Sequence, residues 1–256
     1  LYTLPTALVS NTLDYGKFYI QETTEYMRQS LKVWAELGFS FDVVSTGMIL
    51  SAEQAALVSD FCEQSAKKGA LVFVDPIMGD EGILDVVVVL PAHGRDEHDP
   101  FGVLLSDCRQ NLILKLVPTG RIRRPVMGLV QQFEGHALRI VALEFRRKFS
   151  PNMHEMGAKS VVVTSAKVDG ENCVVGYDGT EGEFFRIPFD LIPVRFVGTG
   201  DIFAAVMLGR LVDGVPLQES THRAMDAVRT MIDRNRDKED KYLGIPIETC
   251  LEVLDE

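Results

Sequence analysis

The sequence predicts an α/β protein built around a mainly parallel sheet. Three observations lead to this fold class. Segments with the composition of strands alternate with segments of helical periodicity along most of the chain. An apolar run at 72–74 ends abruptly in acidic residues and glycines, and a glycine-rich turn at 196–200 opens an apolar helix. Alternation of this kind favours right-handed crossovers between parallel strands.

The individual elements follow from the hydrophobic periodicity of each segment. In chain order the sequence predicts a strand at 3–9, a helix at 22–37, a strand at 41–45, a helix at 51–68, a strand before Asp75, strands at 159–165, 172–177 and 183–188, helices at 201–212 and 217–234, and a short helix after Pro246. Asp178-Gly179 is typical of a hairpin turn between the last two strands. Met27, Leu31, Trp34 and Leu37 fall near one face of the first helix, and Ala224, Val228 and Ile232 form a core stripe.

Length and composition indicate one globular domain, residues 1–256, that can bury a sizeable core. The chain has 256 residues, of which 46% are hydrophobic, and a net charge of −11. This charge argues against nucleic acid or an anionic membrane as the main partner. We expect no membrane segment and no secretory signal, because no apolar run approaches about 20 residues. Four scattered cysteines (Cys62, Cys108, Cys173 and Cys250) fit reduced thiols in a cytoplasmic protein.

The glycine-rich turn has the features of a phosphate-binding site. Gly198 and Gly200 allow successive backbone N–H groups to converge on one anion, and the following helix adds its unpaired first-turn amides. Asp201 would then lie beside the phosphate, where a carboxylate can accept the proton of an attacking alcohol. The alternative is that Asp201 simply caps a helix after a glycine turn.

The acidic turn after the apolar run is the second candidate site. Carboxylates at the carboxyl end of a parallel strand lie where open α/β sheets bind ligands. Asp75 and Asp80 could hold Mg²⁺ against nucleotide phosphates, directly or through water. An ordinary solvated loop is the alternative.

Together these motifs resemble the pyridoxal kinases of the ribokinase-like superfamily. The matching segments are Ser10-Asn11 with 15–18, 45–47, 51–54, 75–80, 161–165 and 196–205, in family order within 1–83 and 155–256. The resemblance implies a three-layer α/β/α fold and ATP-dependent phosphorylation of the hydroxymethyl group of pyridoxal, and also of pyridoxine and pyridoxamine. It further implies a homodimer, Mg²⁺ and a monovalent cation.

The resemblance also implies roles for individual residues. Asp201 would be the catalytic base, and the amides of Gly198, Thr199 and Gly200 would stabilise the transferring phosphoryl group. The nucleotide and its metal would lie near Asp75, Asp80, Thr164, Ser165 and Phe196, with the metal on the two aspartates. Ser10, Tyr15 and Met48 would contact pyridoxal. Read without the resemblance, Thr164 and Ser165 form an ordinary strand terminus.

The chain departs from the family pattern in three places. It opens at Leu1 with no initiator Met, which corresponds to a point inside the family's fold, and Met48 stands where the family often has an aromatic residue. Residues 84–150 do not resemble the family and are net basic, so we interpret them as a divergent insertion or a frame-shifted translation. Within them we expect at most a strand at 112–117 and a poor amphipathic helix at 126–148. Their histidines and arginines fit a charged surface better than a metal or nucleic-acid site.

Two alternatives to a pyridoxal kinase remain open. One is a related kinase for hydroxymethylpyrimidine or a sugar, although the pyrimidine kinases of this superfamily typically carry Cys where this chain has Asp201. The other is a catalytically inactive remnant that keeps the fold.

Overall fold

The computed structural model describes residues 1–12, 15–75, 126–130, 158–168, 170–240 and 242–254. Within these ranges the strands are β1 (Ala7–Val9), β2 (Ile20–Glu22), β3 (Val43–Thr46), β4 (Leu71–Val74), β5 (Val126–Val130), β6 (Ala158–Val168), β7 (Glu171–Asp178) and β8 (Glu183–Pro188). The helices are α1 (Thr24–Glu36), α2 (Ala52–Lys67), α3 (Thr199–Val212) and α4 (Leu217–Asn235), followed by 3-10 turns at Ile247–Thr249 and Leu251–Leu254.

The central sheet has six strands in the order in which they occur in the chain, β3 to β8. The pairs β3–β4, β4–β5 and β5–β6 are parallel, whereas β6–β7 and β7–β8 are antiparallel. The predicted α/β class with a mainly parallel sheet is therefore confirmed. The predicted hairpin at Asp178-Gly179 is also confirmed, because the Asp178 side chain accepts a hydrogen bond from the Thr180 amide (2.8 Å).

The sheet separates two helical layers, as β4 shows most directly. Val72 and Val74 pack with Cys62 and Ala66 of α2 on one face. Phe73, which is completely buried, packs on the other face in a core that includes residues of α3 and α4. Because successive strand residues point to opposite faces, α2 and the α3–α4 pair cover opposite sides of the sheet. The structure thus has the three α/β/α layers implied by the resemblance.

One predicted element is wrong in type. Val126–Val130 is not the start of a helix but the strand β5, paired with β4 on one side and β6 on the other. Strand pairing across the sheet decides its structure, and this nonlocal contact leaves no local period in the sequence. The predicted strand at 112–117 and the rest of the segment 84–150 lie outside the described residues.

The predicted amino-terminal strand is shorter than expected and does not join the main sheet. Only Ala7–Val9 is extended, and it pairs with Ile20–Glu22 in an antiparallel two-stranded ribbon. The predicted helix at 22–37 consequently begins at Thr24, after β2. On that helix Met27 is fully buried, but Leu37 is 63% exposed and does not belong to the core face. The core stripe Ala224, Val228 and Ile232 is confirmed.

None of the helices in the described ranges is both long enough and apolar enough to cross a bilayer.

Candidate active site

The glycine turn adopts the conformation that an anion-binding turn requires. Gly198 precedes α3 with a left-handed backbone (φ 83°), which side-chain-bearing residues rarely adopt. Its carbonyl accepts the first helical hydrogen bond, from the Ile202 amide at 3.1 Å. The amides of Thr199, Gly200 and Asp201 occupy the first turn of α3, where amides have no partner within the helix. Gly198, Thr199 and Gly200 thus lie at a helix N-terminus, where the sequence predicts a phosphate cradle.

Asp201 does not cap the helix in the way the simpler alternative requires. The cap position belongs to Gly198, and no side chain makes a capping hydrogen bond there. The Asp201 carboxylate instead lies over the turn, because its Oδ2 is 3.8 Å from the position that a Cβ on Gly198 would take. A carboxylate in this position could accept a proton beside an anion bound at the turn.

A second carboxylate faces Asp201 across the carboxyl end of the sheet. Asp75 follows the last residue of β4 and is only 5% exposed. Burial, together with the negative charge of Asp201, raises the pKa of Asp75 from its ordinary value of 3.8 to about 7. Asp201 is open to solvent on one side, but the protein covers enough of its carboxylate to raise its pKa as well. The two groups therefore make this end of the sheet a site that favours protons or cations.

Four of the predicted nucleotide-site and catalytic residues line one cavity of about 870 Å³ beside the glycine turn: Thr164, Phe196, Thr199 and Gly200. This volume lies within the range of pockets that hold small organic ligands. Its walls are mainly apolar, from the β8–α3 connection and α4, with charged groups that include Arg195, Asp226 and Arg229. The cavity is thus a largely apolar pocket that borders the glycine turn.

A β-bulge presents Thr164 to this cavity. Between the pairs Val163–Val175 and Ala166–Cys173, two residues of β6, Thr164 and Ser165, oppose the single residue Val174 of β7. Such a bulge bends the strand and changes the direction of a side chain. The sequence indicated that Thr164 and Ser165 end a strand. They do not, because β6 continues to Val168.

The three residues expected to contact pyridoxal occur on or beside the ribbon β1–β2. Ser10 and Tyr15 lie in the loop that joins the two strands, and Met48 follows β3. The Thr6 hydroxyl, just before β1, donates to the Met48 carbonyl at 2.7 Å. The hydroxyl of Ser10 donates to the Asn11 side chain and accepts from the Tyr19 amide, so Ser10 shapes its own loop.

Gln54 is the anchor of this ribbon, and the sequence pattern alone did not give it that role. Its side chain is fully buried, donates to the Thr6 carbonyl at 2.7 Å and accepts from the Leu50 amide at 3.0 Å. The sequence signal for this role is a polar residue at the start of an otherwise apolar helix face, because a buried polar side chain needs hydrogen-bond partners.

Thr46 is a second residue whose role was missed. It ends β3 opposite Val74, the residue before Asp75, and within the described residues its buried Oγ1 has no hydrogen-bond partner. A buried hydroxyl of this kind is available to a ligand at the carboxyl end of the sheet.

Only part of the predicted metal site can be placed. Asp80 lies outside the described residues, and among the residues the structure does describe no three metal-binding side chains cluster. Asp75 suits Mg²⁺ chemically, because it is a carboxylate oxygen donor whose negative charge is disfavoured by burial and by the charge of Asp201.

Comparison with curated proteins gives two relatives at low identity. The chain is 27% identical over 186 residues to a pyridoxal kinase of Arabidopsis thaliana, covering 70% of this chain and 53% of that protein. It is 26% identical over 186 residues to the thiamine biosynthesis bifunctional protein ThiED of Geobacter sulfurreducens, covering 72% of this chain and 33% of that protein. This chain thus spans about half, or less, of each relative's length. No family model matches it.

Solved structures match nearly the whole chain. A Bacteroides thetaiotaomicron protein classed as a phosphomethylpyrimidine kinase, crystallised with pyridoxal, superposes with a TM-score of 0.73 at 22% identity, over 99% of this chain and 84% of that one. A pyridoxal kinase from Entamoeba histolytica gives 0.70 at 16% identity, over 97% and 82%. A pyridoxal kinase from Staphylococcus aureus, in complex with AMP-PCP, gives 0.59 at 18% identity, over 92% and 78%.

The chain has the ribokinase-like fold of the pyridoxal kinases. The resemblance identified from the sequence motifs is thereby confirmed.

Replacement of Gln54 should loosen the ribbon. In Gln54→Ala, the Leu50 amide and the Thr6 carbonyl lose their buried partner, so we expect the free energy of unfolding to fall by about 1–3 kcal/mol in urea titrations. Gln64→Ala is the matched control, because Gln64 is an exposed glutamine on the same helix. Equal effects of the two substitutions would contradict the anchoring role of Gln54.

The buried carboxylate should make stability depend on pH. With a pKa of about 7 in the folded state and an ordinary value of 3.8, Asp75 retains a proton that the unfolded chain releases. The free energy of unfolding should therefore decrease as pH rises from about 4 to about 7, by at most about 4 kcal/mol. Asp75→Asn should flatten this part of the curve, measured by urea unfolding in EDTA. An unchanged slope in the variant would refute the assignment.

Proposed function

We propose that this chain is the kinase domain of an enzyme that transfers the γ-phosphoryl group of ATP to the hydroxymethyl group of pyridoxal, giving pyridoxal 5'-phosphate. The observation that carries the proposal is the position of Asp201, whose carboxylate lies over the phosphate cradle of Gly198, Thr199 and Gly200. The pyridoxal kinase relative and the structures solved with pyridoxal and AMP-PCP support the identity of both substrates.

In the proposed reaction, Asp201 acts as the base and the first-turn amides of α3 stabilise the phosphoryl group. Asp201 accepts the proton of the substrate hydroxyl, whose oxygen forms a bond to the γ-phosphorus while the bond from that phosphorus to the β–γ bridging oxygen breaks. The raised pKa of Asp201 makes its carboxylate a stronger base than an exposed aspartate. The first-turn amides of α3 hold the negative charge that builds on the transferring group. ADP leaves as the second product.

The nucleotide and the vitamin would approach this point from different sides. The cavity bordered by Thr164 and Phe196 would hold the nucleotide, with Ser165 and Asp80 as further expected contacts. Asp75, with Asp80, would hold Mg²⁺, which supplies positive charge to the phosphates. Ser10, Tyr15 and Met48 would border the vitamin, and a monovalent cation would assist.

The related alternative is a kinase for hydroxymethylpyrimidine. Two findings favour it. The second relative is a thiamine biosynthesis protein, and one matching structure is classed as a phosphomethylpyrimidine kinase. Asp201 and the pyridoxal in that same structure argue for pyridoxal as the preferred substrate.

We also propose a reducing, cytoplasmic location. Cys62, Cys173 and Cys250 are buried free thiols in separate parts of the fold. Buried thiols without pairing fit a compartment in which disulfides do not form.

Substitution of the base tests the proposed chemistry. Asp201→Asn keeps the shape of the side chain but cannot accept the proton, so kcat/KM for pyridoxal should fall by roughly 10²- to 10⁴-fold. Asp213→Asn, at the other end of the same helix, is the matched control and should retain full activity. The assay is ATP-dependent formation of pyridoxal 5'-phosphate with Mg²⁺, run in parallel with hydroxymethylpyrimidine. Turnover of the pyrimidine alone would favour the alternative, and no turnover by the folded protein would favour an inactive remnant.

A homodimer is the expected assembly, and the ribbon β1–β2 is the surface that supports it. Leu8, Val9, Phe18 and Tyr19 on and beside this ribbon are 40% to 66% exposed. A two-stranded ribbon with apolar exposed residues gains stability from burial against another surface. Sedimentation velocity should show a dimer, and Leu8→Asp combined with Phe18→Asp should shift it to monomer. A monomeric wild-type protein would refute self-association, and a dimeric double variant would exclude the ribbon as its interface.

A further inference from the structure

The segment that follows α4 packs directly against the glycine turn. Ile245 is buried in one cluster with Phe196 and Ile202, the residues on either side of the turn. Gly244 has a left-handed backbone (φ 72°), and a Cβ there would lie 3.2 Å from the Val197 carbonyl oxygen. The backbone at Gly244 thus lies so close to Val197, the residue before Gly198, that a side chain at position 244 would be crowded.

Several contacts hold the segment in this place. The side-chain amide of Asn235, buried at the end of α4, donates to the Met231 carbonyl at 2.9 Å and lies 3.8 Å from the Cys250 sulfur. Arg210 of α3 donates to the Leu254 carbonyl at 2.6 Å. Arg234 forms an ion pair with Glu252. These contacts tie the segment to both α3 and α4.

The same segment also reaches the loop of the ribbon. The ring of Tyr242 lies 5.4 Å from the ring of Tyr15, at an angle of 47° between their planes. Both residues are about half exposed, so the pair lies at the protein surface. The loop of Tyr15 keeps its own shape through Asn11, whose amide donates to the Lys17 carbonyl at 2.8 Å. What Tyr242 supplies is therefore the position of the loop relative to the glycine turn.

We propose that Tyr242 is a positioning residue, which holds the loop carrying Tyr15 beside the glycine turn and thereby sets the affinity for pyridoxal. The inference rests on the proposed function, because Tyr15 is one of the residues expected to contact the vitamin. An aromatic pair of this geometry changes an equilibrium by about two- to tenfold. The effect is confined to the vitamin side, since Tyr242 does not border the nucleotide cavity.

Steady-state kinetics and binding of pyridoxal test the inference. Tyr242→Ala should raise the KM and Kd for pyridoxal about three- to tenfold, while kcat and the KM for ATP stay within twofold of the wild type. Tyr242→Phe keeps the ring pair and should restore wild-type values. Leu243→Ala is the matched control, because this neighbouring side chain is 81% exposed. Equal values for Tyr242→Ala and wild type, or a parallel loss of kcat and ATP affinity, would overturn the proposal.

Limited proteolysis separates this inference from the proposed function. Lys17 lies in the loop and is exposed, so trypsin cleavage after Lys17, followed by mass spectrometry, reports how often the loop opens. Cleavage should be several-fold faster in Tyr242→Ala than in wild type, and unchanged in Tyr242→Phe and Leu243→Ala. If the wild type neither binds nor phosphorylates pyridoxal, the proposed function fails, and cleavage rates alone decide whether Tyr242 positions the loop. Equal rates in all four proteins would refute positioning.

Discussion

The packing of one apolar core brings two like charges together, and the rest of the site depends on this constraint. Phe73 lies two residues before Asp75, and Phe203 lies two residues after Asp201. Both phenylalanines belong to the same buried cluster between the sheet and α3. Burial of their side chains favours a single arrangement of β4 and α3. The carboxylates at the ends of these elements must then lie close together, even though burial and their mutual repulsion raise the pKa of Asp75. Hydrophobic packing thus maintains a charge arrangement that is unfavourable until a cation or proton arrives.

The parts of the site that depend on local backbone chemistry could be predicted from the sequence. A left-handed glycine before an apolar helix identifies the turn at Gly198, and the abrupt change from Val74 to Asp75 identifies the end of a strand. These features are encoded within a few neighbouring residues. The mainly parallel sheet followed from the alternation of elements, and its two helical layers followed from the resemblance to the pyridoxal kinases.

What could not be predicted arises from contacts between distant segments. β5 was expected to be helical because its strand character comes from β4 and β6 on either side. The bulge at Thr164 exists only where β6 pairs with β7, and the place of β1 is decided by its pairing with β2. The roles of Gln54 and Tyr242 likewise depend on partners far away in the chain. Such pairings between distant segments cannot be inferred from residue types and spacings alone.

The two sides of the candidate site differ in how firmly they are attached to the core. The side proposed to bind the nucleotide consists of core elements, since Thr164 lies in a central strand and Phe196 is almost completely buried. The side proposed to bind the vitamin is a short ribbon attached through hydrogen bonds of Gln54 and through the contact between the rings of Tyr15 and Tyr242. An isolated two-stranded ribbon is at best marginally stable in water, so its opening costs far less free energy than opening of the core. The glycine turn, in contrast, is held between the buried residues Phe196 and Ile202. Under the proposed function, this division would leave the geometry at Asp201 unchanged if the ribbon opened for the vitamin.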